Sequence, residues 1–344
     1  MRLIMLELYE PEGAFDLLEA YLAEELRAGL VADVFLAYGL SEPLRREPGH
    51  PPPEPCPLPL LAARVRARDE PPPAGAGFRI GEWAASWAPG DYAAAVDEVR
   101  AAIARGDVYQ VNLVQHLSAP FEGSVAALAG SLAPLQPLQP RPLAGNGWAV
   151  VSASPELFLA RRGDRLLTMP IKGTRPLGEN VEDDKDAAEH VMIVDLERND
   201  LSRVCEVGSI RWPELMVQHE LAGVTHLVST VEGRVRRDAT LADILRATFP
   251  GGSITGAPKI AAIDHIARLE PVGRGASMGA LGTIEPSGDF ELALTIRTFA
   301  VADDRIHLWV GGGIVWDSDP EAEIEESWVK ARPLLAAVRG LIAV

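Results

Sequence analysis

Cysteine is almost missing from this chain, which has only Cys56 and Cys205 in 344 residues. Two isolated thiols without ligand spacing argue against a disulfide framework and against a zinc centre, and they fit a reducing compartment. Cys205 follows an apolar helical run and reads as packing. Basic residues are scarce too, 32 against 49 acidic ones, for a formal charge of −17. That balance disfavours broad attachment to nucleic acid or an anionic membrane, so an anionic ligand would need a local basic pocket or a metal. No apolar run approaches the length of a membrane span, and Met1-Arg2-Leu3-Ile4-Met5-Leu6-Glu7 turns acidic too early for a secretory signal. The expectation is a cytoplasmic protein with neither a nucleic-acid nor a membrane partner. No internal repeat is visible.

What is present is an ordinary globular composition, 47% hydrophobic and 24% charged, with enough apolar residues for one large core. Proline crowds the stretch from Pro43 to Gly77, which blocks helix and sheet and reads as a loop or linker. The residues before it are too few for an independent domain. Residues 1–80 therefore read as a small N-terminal segment, with its Pro-rich loop, of a single large domain over 1–344.

From Asp91 to Arg105, Ala and Val recur at helical spacing, with a stop at Gly106, and Val108–Leu117 then alternates like a strand. Pro120–Pro142 reads as a short helix and loop. Strands are expected at Trp148–Ala153, Leu157–Arg161 and Arg165–Met169, the last two joined by a Gly163-Asp164 turn. Val181–Val204 is the longest helical candidate, and further helices fit Leu241–Thr248, Pro258–Arg268 and Pro320–Val338. Ser277–Ile284, Glu291–Val301 and Arg305–Val310 read as antiparallel strands. Hairpins without regular strand-helix alternation indicate an α+β fold with antiparallel sheets.

Several groups of residues could carry chemistry. Pro170-Ile171-Lys172-Gly173-Thr174 follows the hairpin, which folds back so as to bring Lys172 near Glu156 of Ser154-Pro155-Glu156. A lysine nucleophile beside an acid would make a reaction centre, although the same pair is ordinarily a solvated ion pair. In the last helix Glu323, Glu326 and Lys330 fall at i, i+3 and i+7 on one face, with Asp319 as N-cap and Pro320 at the first turn. Such a face is commonly just solvated. With Glu189 as a third carboxylate, it has the few oxygen ligands that Mg²⁺ takes alongside water and substrate. The glycine-rich loops Pro250–Lys259 and Gly311–Gly313 can present backbone N–H groups to an anion, although the first lacks P-loop spacing. Arg297 lies in an otherwise apolar or small strand and needs an anionic partner. His226, in another strand-like run, fits a satisfied core residue as well as a catalytic one.

Together these segments resemble the chorismate-utilising enzymes over roughly Asp91 to the C-terminus. The resemblance is carried by Gly106-Asp107-Val108-Tyr109-Gln110-Val111-Asn112-Leu113, Ser152–Glu156, the Lys172 motif and His190–Leu196 with Arg198-Asn199-Asp200. His226-Leu227-Val228-Ser229, Ser253–Lys259, Ile296-Arg297-Thr298 and Gly311–Lys330 complete it. Two antiparallel sheets enclosed by helices are implied, with residues 91–344 as the chorismate-binding core. Lysine in Pro-Ile-Lys-Gly-Thr resembles the aminodeoxychorismate-forming branch, whereas anthranilate-forming enzymes usually carry alanine. Gln110 stands where water-adding relatives have a basic lysine.

The resemblance implies that Lys172 attacks C2 of chorismate while Glu156 protonates the departing 4-hydroxyl, after which ammonia displaces the lysine. His226 matches a histidine near the reacting ring. Substrate contacts are implied for Gln110, Gly173, Thr174, Thr255, Gly256, Arg297, Gly312, Gly313 and Lys330, and Mg²⁺ ligands for Glu189, Glu323 and Glu326. Neither cysteine lies in a glutaminase nucleophile motif, so a separate glutamine amidotransferase subunit is the implied ammonia source. Thr283 replaces a tyrosine frequent in relatives, and no counterpart of their tryptophan-binding segment is apparent. An anthranilate-forming enzyme, an aminochorismate synthase of specialised metabolism and a non-catalytic chorismate-binding subunit are the alternatives.

Overall fold

The computed structural model describes residues 5–47, 49–176, 184–221 and 224–338, without the side chains of 89, 174–176, 184–188, 220, 221, 224 and 226. Among them are seven α-helices: α1 (Ala14–Glu25), α2 (Pro89–Arg105), α3 (Val125–Leu132), α4 (Asp184–Ser202), α5 (Leu241–Thr248), α6 (Lys259–Leu269) and α7 (Pro320–Val338). Their ends follow the sequence signals. Gly106 closes α2 at φ 82°, where a side chain would be strained. Thr240 and Asp243 form a reciprocal capping box on α5. Asp319 Oδ1 accepts from Ala322 N at 3.0 Å at the start of α7.

Two antiparallel sheets form the centre. Ten described strands make the first, in the order β1 (Leu6–Leu8), β3 (Leu61–Ala67), β2 (Leu30–Leu36), β15 (Ala280–Ile284), β16 (Phe290–Leu294), β9 (Leu157–Arg162), β10 (Arg165–Met169), β13 (Val224–Arg234) and β11 (Ile171–Pro176). The tenth, β12 (Arg211–Leu221), pairs with β13. The second sheet has eight described strands, ordered β14 (Gly256–Ala257), β6 (Gln110–Gly123), β18 (Arg305–Ile314), β17 (Thr298–Ala302), β8 (Trp148–Ser152) and β7 (Leu143–Ala144). β4 (Phe78–Ile80) and β5 (Ala84–Ala85) also join β6.

Two hydrophobic clusters make up the core. One holds Val111 and Leu113 of β6, Val150 of β8 and Trp309 of β18 together with Phe35, Phe158, Leu281 and Leu292 of the first sheet. The other holds Leu117, Val151, Phe299 and Leu308 with Leu128 and Leu132 of α3 and Leu334 and Leu335 of α7. Each fully buried large side chain contributes about 1.5–3 kcal/mol.

Three expectations change. The Pro-rich stretch is not all loop, because β3 forms within it and pairs with β2 from Leu30↔Ala67 to Leu36↔Leu61. Its alternating Leu61-Ala62-Ala63-Arg64-Val65 run escapes the prolines on either side. β2 pairs in turn with β15, so the N-terminal residues extend the first sheet. β6 continues to Gly123, beyond the Leu117 end expected. Glu291–Val301 is not one strand: β16 and β17 belong to different sheets, and the chain crosses between them at Thr295–Arg297, with Arg297 at φ 49°. A non-glycine residue held there is strained and survives only where surrounding structure fixes it.

Candidate active site

The β9–β10 hairpin turns at Gly163, φ 63°, and pairs Leu157 with Met169. That register puts Glu156 opposite the start of β11, where Ile171 N donates to Glu156 Oε1 at 3.4 Å. Glu156 is 4% exposed. Burial raises its pKa, while Lys172, the Ser253 hydroxyl, the Ile171 amide and Arg297 pull it back. The net shift is upward, which favours a carboxyl that keeps its proton.

Lys172 pairs in register with Leu227 of β13, and the ladder slips before Thr174, where Gly173 has φ 61°. Such a bulge re-aims the side chains beside it. Lys172 Nζ lies 2.7 Å from Glu189 Oε1 of α4, and Gln110 Nε2, from the first residue of β6, donates to the same oxygen at 2.6 Å. Burial lowers the Lys172 pKa, but Glu189, with Glu156 and Glu326 behind it, more than offsets this and holds the ammonium above its ordinary range. For Glu189 burial acts upward, and Lys172 and Gln110 prevail to hold the carboxylate below its usual pKa.

The glycines of β18 bring α7 to this group. Gly311 cannot carry a side chain, since a Cβ would stand 1.9 Å from Leu113 O of the paired strand. A Cβ at Gly313 would be 1.9 Å from Gln110 Nε2 and 2.9 Å from Glu189 Oε1; one at Gly312 would be 3.3 Å from Lys330 Nζ, 3.4 Å from Glu323 Oε2 and 3.5 Å from Glu326 Oε1. Lys330 Nζ contacts Glu326 Oε1 at 2.7 Å and donates to Gly311 O at 3.0 Å. Ser318 Oγ donates to Glu323 Oε1 at 2.7 Å.

Arg297 lies near enough to feel the charge of Glu156, and among the described residues its guanidinium makes no hydrogen bond or ion pair. Burial lowers its pKa, against the opposing charge of Glu156. A carboxylate ligand would complete it.

Lys172, Glu156, Gln110, Glu189, Arg297, Gly312, Gly313, Lys330, Glu323 and Glu326 are thus drawn toward one region from both sheets, α4 and α7. Thr255 is fully buried, and its hydroxyl donates to Gly251 O at 3.0 Å, within its own loop. Gly256, at φ 141°, lets β14 approach β6, because a Cβ would meet Gln110 O at 2.1 Å. Thr174 and His226 are partners in the β11–β13 register, while their side chains lie outside the described residues. Beyond the residues expected, the site gains Ser253 beside Glu156 and a buried imidazole, His190, whose Nε2 meets Ser229 Oγ at 2.6 Å. Burial lowers the His190 pKa to about 4, so it is neutral at ordinary pH. The glycines flanking Ser253 pointed to its loop; nothing in the spacing pointed to Ser229 as partner for His190.

For a divalent cation, the donor set is hard carboxylate oxygen, which suits Mg²⁺. Two donors, Glu323 and Glu326, flank the open side of Gly312 within 3.5 Å of one point, whereas Glu189 is engaged by Lys172 and Gln110. Among the described residues no three His, Cys, Asp or Glu side chains form a ready metal cluster. The residue types fit, with part of the coordination left to water or ligand oxygens.

A lysine, a glutamate and an arginine that has no ion-pair partner among the described residues lie together between two antiparallel sheets. Residues 50–336 match the family model described as chorismate binding enzyme, and the chain belongs to that family. It is 40% identical over 273 residues to anthranilate synthase component 1 of Streptomyces coelicolor, covering 75% of this chain and 53% of that protein. It is 40% identical over 266 residues to aminodeoxychorismate synthase component 1 of Klebsiella aerogenes, covering 74% of this chain and 59% of that protein. The match spans only a little over half the length of these relatives. The crystal structure of anthranilate synthase component I from Streptococcus pneumoniae superposes with TM-score 0.84 at 25% identity, covering 97% of this chain and 90% of that one. The chorismate-utilising fold is therefore present. No helix among the described residues is long and apolar enough to cross a membrane.

Proposed function

We propose that the protein aminates chorismate to 4-amino-4-deoxychorismate, as component I of an aminodeoxychorismate synthase in cytoplasmic p-aminobenzoate and folate supply. The observation carrying this reading is the placing of Lys172 beside Glu156 in one buried site. Lys172 is held as an ammonium, so its amine must first be freed, and Glu189 Oε1 at 2.7 Å is the acceptor within reach. The amine then bonds to C2 of the ring, the double bond shifts, and the C4–O bond breaks. Glu156 supplies the proton with which the hydroxyl leaves as water. Ammonia next bonds at C4, the double bond returns, and the C2–N bond to Lys172 breaks, regenerating the lysine. Two allylic steps replace a slow direct displacement of hydroxide.

Arg297 and Lys330 carry the positive charge that would hold the carboxylates of chorismate, with the backbone N–H of Gly313, which alternates away from the paired strand β6, open to the same ligand. Gln110 would orient Glu189, and His226 would lie near the ring. A Mg²⁺ ion held by Glu189, Glu323 and Glu326 would offset the charge between these carboxylates and that of the substrate. Ammonia would come from a separate glutamine amidotransferase subunit.

The second reading is anthranilate synthesis, favoured by the name of the Streptomyces relative. Lys172 weighs against it, because the resemblance associates a lysine there with the aminodeoxychorismate branch. Incubating the chain with chorismate, Mg²⁺ and an ammonium salt at mildly alkaline pH, then identifying products by mass, separates the two. Aminodeoxychorismate supports amination, whereas anthranilate overturns it.

A further inference from the structure

Behind Glu156 lies a second buried polar cluster that the proposed chemistry does not use. Glu197 and Asp200 of α4 are each 3% exposed. Glu197 Oε1 accepts from Gly252 N at 3.0 Å. Lys259, the first residue of α6, gives its ammonium to Asp200 and to Thr248 O at the end of α5, the latter at 3.1 Å. Three helices are thereby tied around one loop, residues 249–258. The loop lies hard against α4, since a Cβ on Gly252 would come within 2.7 Å of Leu196 Cδ2 and 3.1 Å of Glu197 Oε1. The residue after Gly252 is Ser253, whose hydroxyl is near enough to Glu156 to pull its pKa down.

A buried carboxyl is costly unless its hydrogen bonds are satisfied, and an apolar side chain would fill the same space more cheaply. Lys259 already has Asp200 as its counter-ion, so Glu197 is not needed to neutralise it. Among the described residues its hydrogen bond is to the loop that carries Ser253. The charged groups facing Glu197 are Asp200 on its own helix, Lys259 from α6 and Glu156 from the loop between β8 and β9. Burial, then the charge of Asp200, push its pKa up to about 8, so at neutral pH the group is mainly a neutral acid whose Oε1 still accepts.

We propose that Glu197 is a positioning residue: by accepting the Gly252 amide it holds the Ser253 hydroxyl on Glu156 and so sets the acid that protonates the leaving group. This inference rests on the amination reading for its consequence in turnover, and for its geometry on the Glu197–Gly252 hydrogen bond and the close packing of the Ser253 loop on α4.

The test is a double-mutant cycle in the full chain, using Glu197→Ala, Ser253→Ala, their combination and Glu197→Gln, assayed with chorismate, ammonium and Mg²⁺. Each alanine variant should lose about 10- to 100-fold in kcat through misplacement of the acid, with little change in KM for chorismate. The double variant should be no slower than the slower single one, because both act through the same hydroxyl. Glutamine, which keeps an acceptor for Gly252, should restore most of the rate. Independent losses at the two positions, or wild-type kcat in Glu197→Ala, would overturn the proposal. Should the alanine variant fail to fold, Glu197→Leu of similar volume replaces it.

A readout independent of turnover is the titration of the Glu156 carboxyl, followed by carbon-13 NMR and assigned with Glu156→Gln. Losing the Ser253 donor should move that titration to higher pH in both alanine variants alike; an unmoved titration in Glu197→Ala would sink the inference. The wild-type product judges the amination reading on its own, so the two can fail separately.

Discussion

Lys172 Nζ is 2.7 Å from Glu189 Oε1, and that oxygen also accepts from Gln110 Nε2 at 2.6 Å. The residue proposed as nucleophile is therefore held as an ammonium by a carboxylate that is itself a proposed Mg²⁺ ligand. Side-chain exposures of 14% and 15% make this a largely desolvated pair, in which removing one partner leaves a buried charge alone. Lys172→Ala should abolish amination at saturating chorismate and lower stability as well. Lys172→Gln, which can still donate to Glu189, should be equally inactive but melt closer to wild type. Undiminished turnover in either variant would remove Lys172 from the chemistry.

Glu156→Gln keeps an acceptor for Ile171 N but cannot supply a proton. A loss of about 10²–10⁴-fold in kcat is expected for a general acid. Because burial raises the Glu156 pKa, the active acid form persists below the raised value and titrates away as pH rises through it. The wild-type rate should accordingly fall on the alkaline side, and the residual rate of the variant should lack that limb. A pH–rate profile of both proteins checks this; the same limb in each would assign the titration to another group.

Much of this site was legible in the sequence, and the missing parts have definite causes. The hairpin and turn residues brought Glu156 near the Lys172 segment, because a two-residue turn at Gly163 sets β9 against β10 as far as the register shift between Leu167 and Met169. Helical spacing put Glu323, Glu326 and Lys330 on one face, and they do converge beside Gly312. The sheet change at Arg297 was not legible, since Glu291–Val301 alternates as one strand would and only tertiary structure forces the positive φ. β3 was hidden by the prolines flanking it. Glu197 was likewise invisible, because contact with Gly252 spans 55 positions and follows no local periodicity.

Gly313→Ala tests the packing that brings β18 to Gln110 and Glu189. Its Cβ would fall 1.9 Å from Gln110 Nε2, the far end of a flexible side chain, so the fold should survive while Gln110 leaves Glu189. We expect near wild-type melting with a loss of about 10²-fold in kcat/KM, the scale set by an ångström of misplacement. A fully active variant would show that the Gln110 contact is dispensable.

Two of the proposed Mg²⁺ ligands, Glu189 and Glu326, can be tested for metal use. Glutamine at Glu189 or at Glu326 should raise the Mg²⁺ concentration needed for half-maximal rate, since each replacement removes an anionic oxygen donor. Isothermal titration of Mg²⁺ into each variant gives a readout that does not depend on turnover. An unchanged metal titration in both would exclude these residues from the site.

Away from the site, His116 Nε2 lies 3.0 Å from His307 Nδ1 between β6 and β18, and His116 Nδ1 is 2.7 Å from Ser86 Oγ. Both rings are buried, at 3% and 2% exposure. Burial, then the neighbouring His307 charge, lower His116 to about 3, while burial and Arg305 lower His307 to about 4. The unfolded chain takes up these protons near pH 6.5 and the folded chain does not, so the sign is unfavourable on acidification. Stability present above pH 6.5 should be lost as pH falls toward 4, by about 2 kcal/mol per histidine at pH 5. His116→Gln together with His307→Gln should lower stability at pH 7 yet flatten its decline between pH 7 and 5. Denaturant unfolding at the two pH values measures this, and an unaltered slope would place the acid sensitivity elsewhere.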